Sequence, residues 1–126
     1  MIQAVISENA EGIITGFCIS GHAGFAESGS DIICSAVSAI AYTALGYIDE
    51  ALSEINGSHV SYTEDEGYLK WDRSDLNQLT TGKADDLFNV KLNAVLEAMV
   101  IGLVQIRESY GAKYLSIQYE EVLSQC

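Results

Sequence analysis

Apolar and polar residues alternate from Ile2 to Ser7, the period of a half-buried strand. A turn at Asn9-Ala10-Glu11-Gly12 leads into Ile13 to Ser20, which places Ile13, Thr15, Phe17 and Ile19 on one face; the two runs predict an antiparallel hairpin. Gly21 to Ser30 carries three glycines and two serines, the composition of a loop. Beyond it, apolar residues recur at Ile33, Val37, Ile40, Ala41, Ala44, Leu45, Ile48, Leu52 and Ile55. That spacing predicts a helix from 31 to 55, capped by Asp31 or Ser30 and stopped at Asn56-Gly57. Gly46 inside it suggests close helix packing. Val60 to Thr63 and Tyr68 to Trp71 predict a second hairpin around the acidic turn Glu64-Asp65-Glu66-Gly67. A polar connection from Asp72 to Ala84 precedes a second long helix, 85–109, capped near Asp85 or Asp86. Tyr114 to Glu120 alternates again as a last strand. The order ββαββαβ predicts an α+β two-layer sandwich, a mainly antiparallel sheet with two long helices.

The second helix is apolar over more than one stripe, from Leu87, Val90 and Leu92 to Val100, Ile101 and Leu103. Such coverage means burial on two sides or contact with a second copy of the protein. At 126 residues the chain makes one domain, 1–126. Six Lys+Arg against 18 Asp+Glu give a net charge of −12. This excludes direct binding to a nucleic-acid backbone and favours a basic protein partner. The longest uninterrupted apolar run, Ala98 to Val104, is far shorter than a membrane span, so no membrane association is expected. No basic and apolar leader opens the sequence. Cys18, Cys34 and Cys126 show no paired spacing and read as thiols of a cytoplasmic protein.

The stretch with chemical content is Gly21 to Ser38. Cys34, three residues after Asp31, falls in the first turn of the first helix, where unpaired amides carry partial positive charge. Those amides stabilise a thiolate and are candidates to hold the oxyanion of an acyl intermediate. His22 ends the second strand, and the glycine loop is long enough to return the chain to the helix start. An imidazole there is a candidate base for the thiol. Asp31 caps the helix, but its charge opposes a thiolate; it aids catalysis only by orienting His22. Ser38 lies one turn beyond Cys34 on the same side. Taken by type alone, a cysteine among apolar helix positions is usually a small buried hydrophobe.

Gly21-His22-Ala23, followed by Gly29-Ser30-Asp31-Ile32-Ile33-Cys34-Ser35-Ala36-Val37-Ser38, resembles the signature of the ribosomal-processing cysteine protease family, Prp or YsxB-like. That signature reads G-H-A, a spacer, then G-x-D-[IV]-[VI]-C-A-[AG]-[VI]-S. The His–Cys separation agrees, and Ser35 departs from the usual alanine without touching the dyad. The resemblance implies an endopeptidase that trims a short N-terminal extension from a bacterial large-subunit ribosomal protein, number twenty-seven, after a hydrophobic, Phe-rich motif. It implies Cys34 as nucleophile, His22 as general base, no cofactor, a homodimer, and a mobile glycine-rich loop over the site. Within that loop Gly21, Gly24, Phe25 and Gly29 are the candidate substrate-binding positions.

Two other readings of the same residues stand beside it: a non-catalytic ribosome-associated peptide-binding module, and a different small Cys–His acyl hydrolase. Phe25 is either a groove residue or a simple loop anchor. Cys18 reads as a buried structural thiol, Cys126 as a mobile end, and His59 as exposed. The run Glu64-Asp65-Glu66 reads as a solvated turn. No close pairing among His22, His59, Cys34 and Cys18 supports a metal site.

Overall fold

In the computed structural model, residues 1–26, 31–75, 83–123 and 126 are described. Five strands and two long helices follow one another as β1 (Ile2–Glu8), β2 (Ile14–Ser20), α1 (Ile32–Asn56), β3 (Thr63–Asp65), β4 (Tyr68–Asp72), α2 (Lys83–Tyr110) and β5 (Leu115–Glu120). This is the predicted ββαββαβ order. The strands form one sheet in the order β3-β4-β2-β1-β5. Among the described strands only the β1–β5 pair is parallel, because α2 carries the chain back across the layer before β5 enters at the edge.

Ala4 pairs with Ile19, Ile6 with Phe17, and Phe17 in turn with Trp71. These residues form the sheet's inner face. Ile33, Val37, Ala41, Leu45, Ile48 and Leu52 from α1 close over it, joined by Phe88, Leu92, Leu96, Met99 and Leu103 from α2. Both helices are long and apolar enough to cross a membrane by length and composition alone, a property the short uninterrupted run conceals. Here their buried stripes face the sheet. The excess on α2 stays outside: Leu87, Val90 and Ile101 are more than half exposed. The close approach of the helices is at Gly102, where a Cβ would lie 2.8 Å from Ile40 Cδ1; Gly46 faces open space.

Three expectations are corrected. First, β3 is Thr63–Asp65, not 60–63, so two acidic residues expected in the turn form a strand. Val60 and Tyr62 are drawn to α1 instead: the Val60 N–H donates to Asp49 Oδ1 at 2.8 Å, and the Tyr62 ring meets Tyr42 edge-on. The turn shrinks to Glu66-Gly67, with Gly67 at φ 66°. Second, α2 begins at Lys83, ahead of the expected cap; the side chains of Asp85 and Asp86 lie outside the described residues. Third, Cys18 and Cys126 are not thiols but a disulfide, with Cα atoms 6.1 Å apart and 108 residues between them in sequence. Cys18 alternates with Phe17 and Ile19, so it points to the face opposite the helices. Beyond β5, Leu123 and Cys126 lie over that face. Leu123 fills the space left by Gly16, and the Tyr68 hydroxyl donates to the Cys126 carbonyl.

Candidate active site

Asp31 starts α1 in extended backbone (φ −79°, ψ 102°) and turns its carboxylate back onto the helix. Oδ1 accepts from the N–H groups of Ile33 (2.9 Å) and Cys34 (3.1 Å), and Oδ2 accepts from the Phe25 N–H (3.1 Å). The group is 5% exposed. Burial works to raise its pKa, but the amides of Cys34, Phe25, Ile33 and Ala26 outweigh it and hold the carboxyl below its ordinary value. Asp31 therefore acts on backbone, not on His22. The Ser35 N–H is also taken, by the Asp31 carbonyl at 3.2 Å. The helix-start amides of residues 33, 34 and 35, expected to hold an oxyanion, are already occupied.

Cys34 is the free cysteine, and it is partly exposed. Its sulfur accepts the Ala23 N–H at 3.3 Å. His22 follows β2 where Gly21, at φ 90°, turns the chain; a Cβ at Gly21 would come within 2.5 Å of the Met1 carbonyl oxygen. The Gly21 N–H donates to the Gly67 carbonyl at 2.8 Å, tying the end of β2 to the β3–β4 turn. The His22 imidazole rests directly on Gly67, where a Cβ would lie 2.9 Å from Nε2. Strand end, hairpin turn and helix start thus bring His22 and Cys34 onto the lining of the same clefts.

Cys34 and His22 together line two clefts, one on either side of them. The first, about 260 Å³, is walled by Ile2, Ile19, Val37, Ala41 and Leu69, with Ser38 and Tyr42 also on its lining. The second, about 230 Å³, is bounded by Gly24, Ala26, Asp31, Ser35 and Glu66. A free, partly exposed thiol and an imidazole that share two clefts are the kinds of group nucleophilic chemistry uses.

Gly21 lines the first cleft and Gly24, at φ 71°, the second. Phe25 lines neither. Its ring packs edge-on against Tyr114 (5.3 Å between centroids) and Tyr110 (5.9 Å), so it anchors the loop to the end of α2. Gly29 lies outside the described residues. Away from the dyad, His59 Nδ1 is 3.2 Å from Asp49 Oδ1. Sequence reasoning missed the hairpin's contribution. Asp65, Gly67, Tyr68 and Leu69 all line the first cleft, and the Tyr42 hydroxyl donates to the Glu64 carboxylate at its rim. That hydrogen bond, reinforced by burial and the Glu64 charge, pushes the Tyr42 hydroxyl up to about 12. A glycine after an acidic residue marked the turn, but nothing local marked its proximity to His22.

A family model described as cysteine protease Prp matches residues 1–115. The ribosomal processing cysteine protease Prp of Staphylococcus aureus is 28% identical over 111 residues, covering 88% of this chain and 92% of its own. The protein of the same name from Bacillus subtilis is 29% identical over 115 residues, covering 87% and 90%. Among solved structures, S. aureus Prp with a covalently linked product peptide superposes with a TM-score of 0.70 at 23% identity, over 95% of this chain and 100% of that one. A Streptococcus mutans crystal structure gives a TM-score of 0.65 at 29% identity, over 94% and 93%. The family match over residues 1–115 shows that the chain belongs to the Prp family of cysteine proteases.

Proposed function

We propose that this protein is an endopeptidase that removes the N-terminal extension of a bacterial large-subunit ribosomal protein, number twenty-seven, with Cys34 as nucleophile and His22 as general base. The observation that carries this reading is the free, partly exposed Cys34 thiol on the lining of two clefts that His22 also lines. His22 takes the thiol proton, and the sulfur attacks the scissile carbonyl. The departing amine recovers the proton from the imidazolium, and water resolves the thioester. Ile2, Ile19, Val37, Ala41 and Leu69 in the first cleft suit hydrophobic side chains of the acyl segment, the extension held as the thioester. Asp31 and Ser38 support the site, the first by fixing the turn that carries Cys34. The names of the relatives, ribosomal processing proteases, support the substrate class.

A net charge of −12 favours capture of a basic ribosomal protein. Such a substrate places the enzyme in the cytoplasm, where the Cys18–Cys126 bond competes with cellular thiols. Self-association uses the outer face of α2, where Leu87, Val90 and Ile101 are exposed. The test is incubation with a synthetic precursor peptide, read by mass spectrometry. Cleavage by the native protein, lost in Cys34→Ala and His22→Ala, supports the reading. A peptide that binds but stays whole favours a non-catalytic module, and amide hydrolysis without preference for the ribosomal sequence favours a general acyl hydrolase.

A further inference from the structure

A cysteine protease must stabilise two anions in turn, first the thiolate and then the oxyanion of the tetrahedral adduct. Around Cys34 the usual donors are spent. The Ile33 and Cys34 N–H groups serve Asp31 Oδ1, the Phe25 N–H serves Oδ2, and the Ser35 N–H serves the Asp31 carbonyl. The Gly21 N–H, on the other flank, is held by Gly67. Moving the Cys34 amide to an oxyanion would strip a buried carboxylate of a partner and bring two negative charges together. Among the described residues, the amide that donates to the sulfur itself is the Ala23 N–H, aimed at Sγ from 3.3 Å.

We infer that the Ala23 N–H is the oxyanion donor of this enzyme, an assignment that rests on Cys34 and His22 being the dyad. In the resting site the amide stabilises the sulfur. As His22 removes the thiol proton, a sulfur lone pair forms the bond to the carbonyl carbon, and the carbonyl π pair moves onto oxygen. The sulfur's charge is then gone, and the new anion sits on the oxygen bonded to the same carbon. The Ala23 N–H transfers from sulfur to that oxygen with little displacement. When the oxyanion collapses, the C–N bond breaks, the amine takes the imidazolium proton, and the amide returns to sulfur. Two features hold it in place. His22 and Ala23 are consecutive, so the group that positions the base positions the donor. Gly24, at φ 71°, reverses the chain so that the next amide, of Phe25, reaches Asp31. Ala23 itself is 4% exposed, so its backbone is held by the packing around it.

The test removes that one N–H. Full-length protein with lactate in place of Ala23 carries an ester between residues 22 and 23 and keeps the methyl group. For the precursor peptide, kcat is expected to fall about 100- to 1,000-fold, the loss typical of one oxyanion donor. KM is expected to change by less than about threefold, because the donor acts in the transition state. Affinity for a peptide aldehyde, which forms the tetrahedral adduct, falls in parallel with kcat. Peptide binding by the same ester in a Cys34→Ala background is unchanged. A kcat within a few-fold of native, or peptide binding lost together with kcat, overturns the assignment. Native cleavage that survives Cys34→Ala overturns the dyad instead, so the two failures are distinguishable.

Discussion

Replacing Asp31 by alanine removes the acceptor for the backbone N–H groups of Ile33, Cys34 and Phe25. Loss of the cap at the first two costs about 1 kcal/mol. The Phe25 amide, part-buried, adds about 1 kcal/mol when left without a partner. A loss of about 2 kcal/mol is therefore expected, read from urea unfolding through the fluorescence of Trp71, which is fully buried. The midpoint should fall with an unchanged slope. Asp31→Asn keeps one acceptor oxygen but turns an NH₂ toward a donor, and should lie between. The pH dependence has a definite sign. The native carboxyl is held below its ordinary value of 3.8, so its stabilisation is complete above that value and fades as the pH falls through the native one. Asn does not titrate, so the gap between native protein and Asp31→Asn narrows below about pH 4. A loss under about 0.5 kcal/mol in Asp31→Ala, the range of ordinary surface changes, would refute the cap's role.

Other outcomes follow from the same geometry. Cys126→Ser opens a cross-link spanning 108 residues and should cost about 2–4 kcal/mol in urea, with peptide cleavage at 25 °C within twofold of native because Cys18 points to the face opposite the helix that carries Cys34. Reduced native protein should match it, and an unchanged midpoint would count against the cross-link. Gly67→Ala puts a methyl into the His22 ring at a position with φ 66°; kcat should drop at least about tenfold through displacement of the base, and a native rate would show that the ring does not need that support. Val90→Glu, on the exposed face of α2, should convert dimer to monomer in analytical ultracentrifugation, and a native protein already monomeric contradicts that interface.

Both long helices were legible in the sequence because each carries a strong 3.6-residue stripe against the sheet, from Ile33 to Leu52 and from Leu92 to Leu103. The β1–β2 hairpin was legible from alternation. The hairpin of β3 and β4 was half legible: β4 alternates, but β3 is an exposed edge of three residues with no pattern to read. Cys34 and His22 stood out through their motif and their place at a helix start and a strand end. What escaped was long-range. Gly67 supports His22 from a turn 45 residues further on, Cys126 reaches Cys18 across 108 residues, and Phe25 finds Tyr110 and Tyr114 at the end of α2. Local spacing carries no trace of such contacts. The oxyanion expectation failed for a different reason: a helix start offers free amides only until its own cap takes them.

Covalent capture gives the sharpest reading of the dyad. A chloromethyl ketone built on the precursor sequence presents its carbon to whichever nucleophile lies between the two clefts, and peptide mapping locates the adduct. A single adduct on Cys34, formed at least about a hundredfold more slowly in His22→Ala, is the expected result. An adduct on another residue, or undiminished cleavage after Cys34 is fully alkylated, would contradict a thiol nucleophile activated by that imidazole.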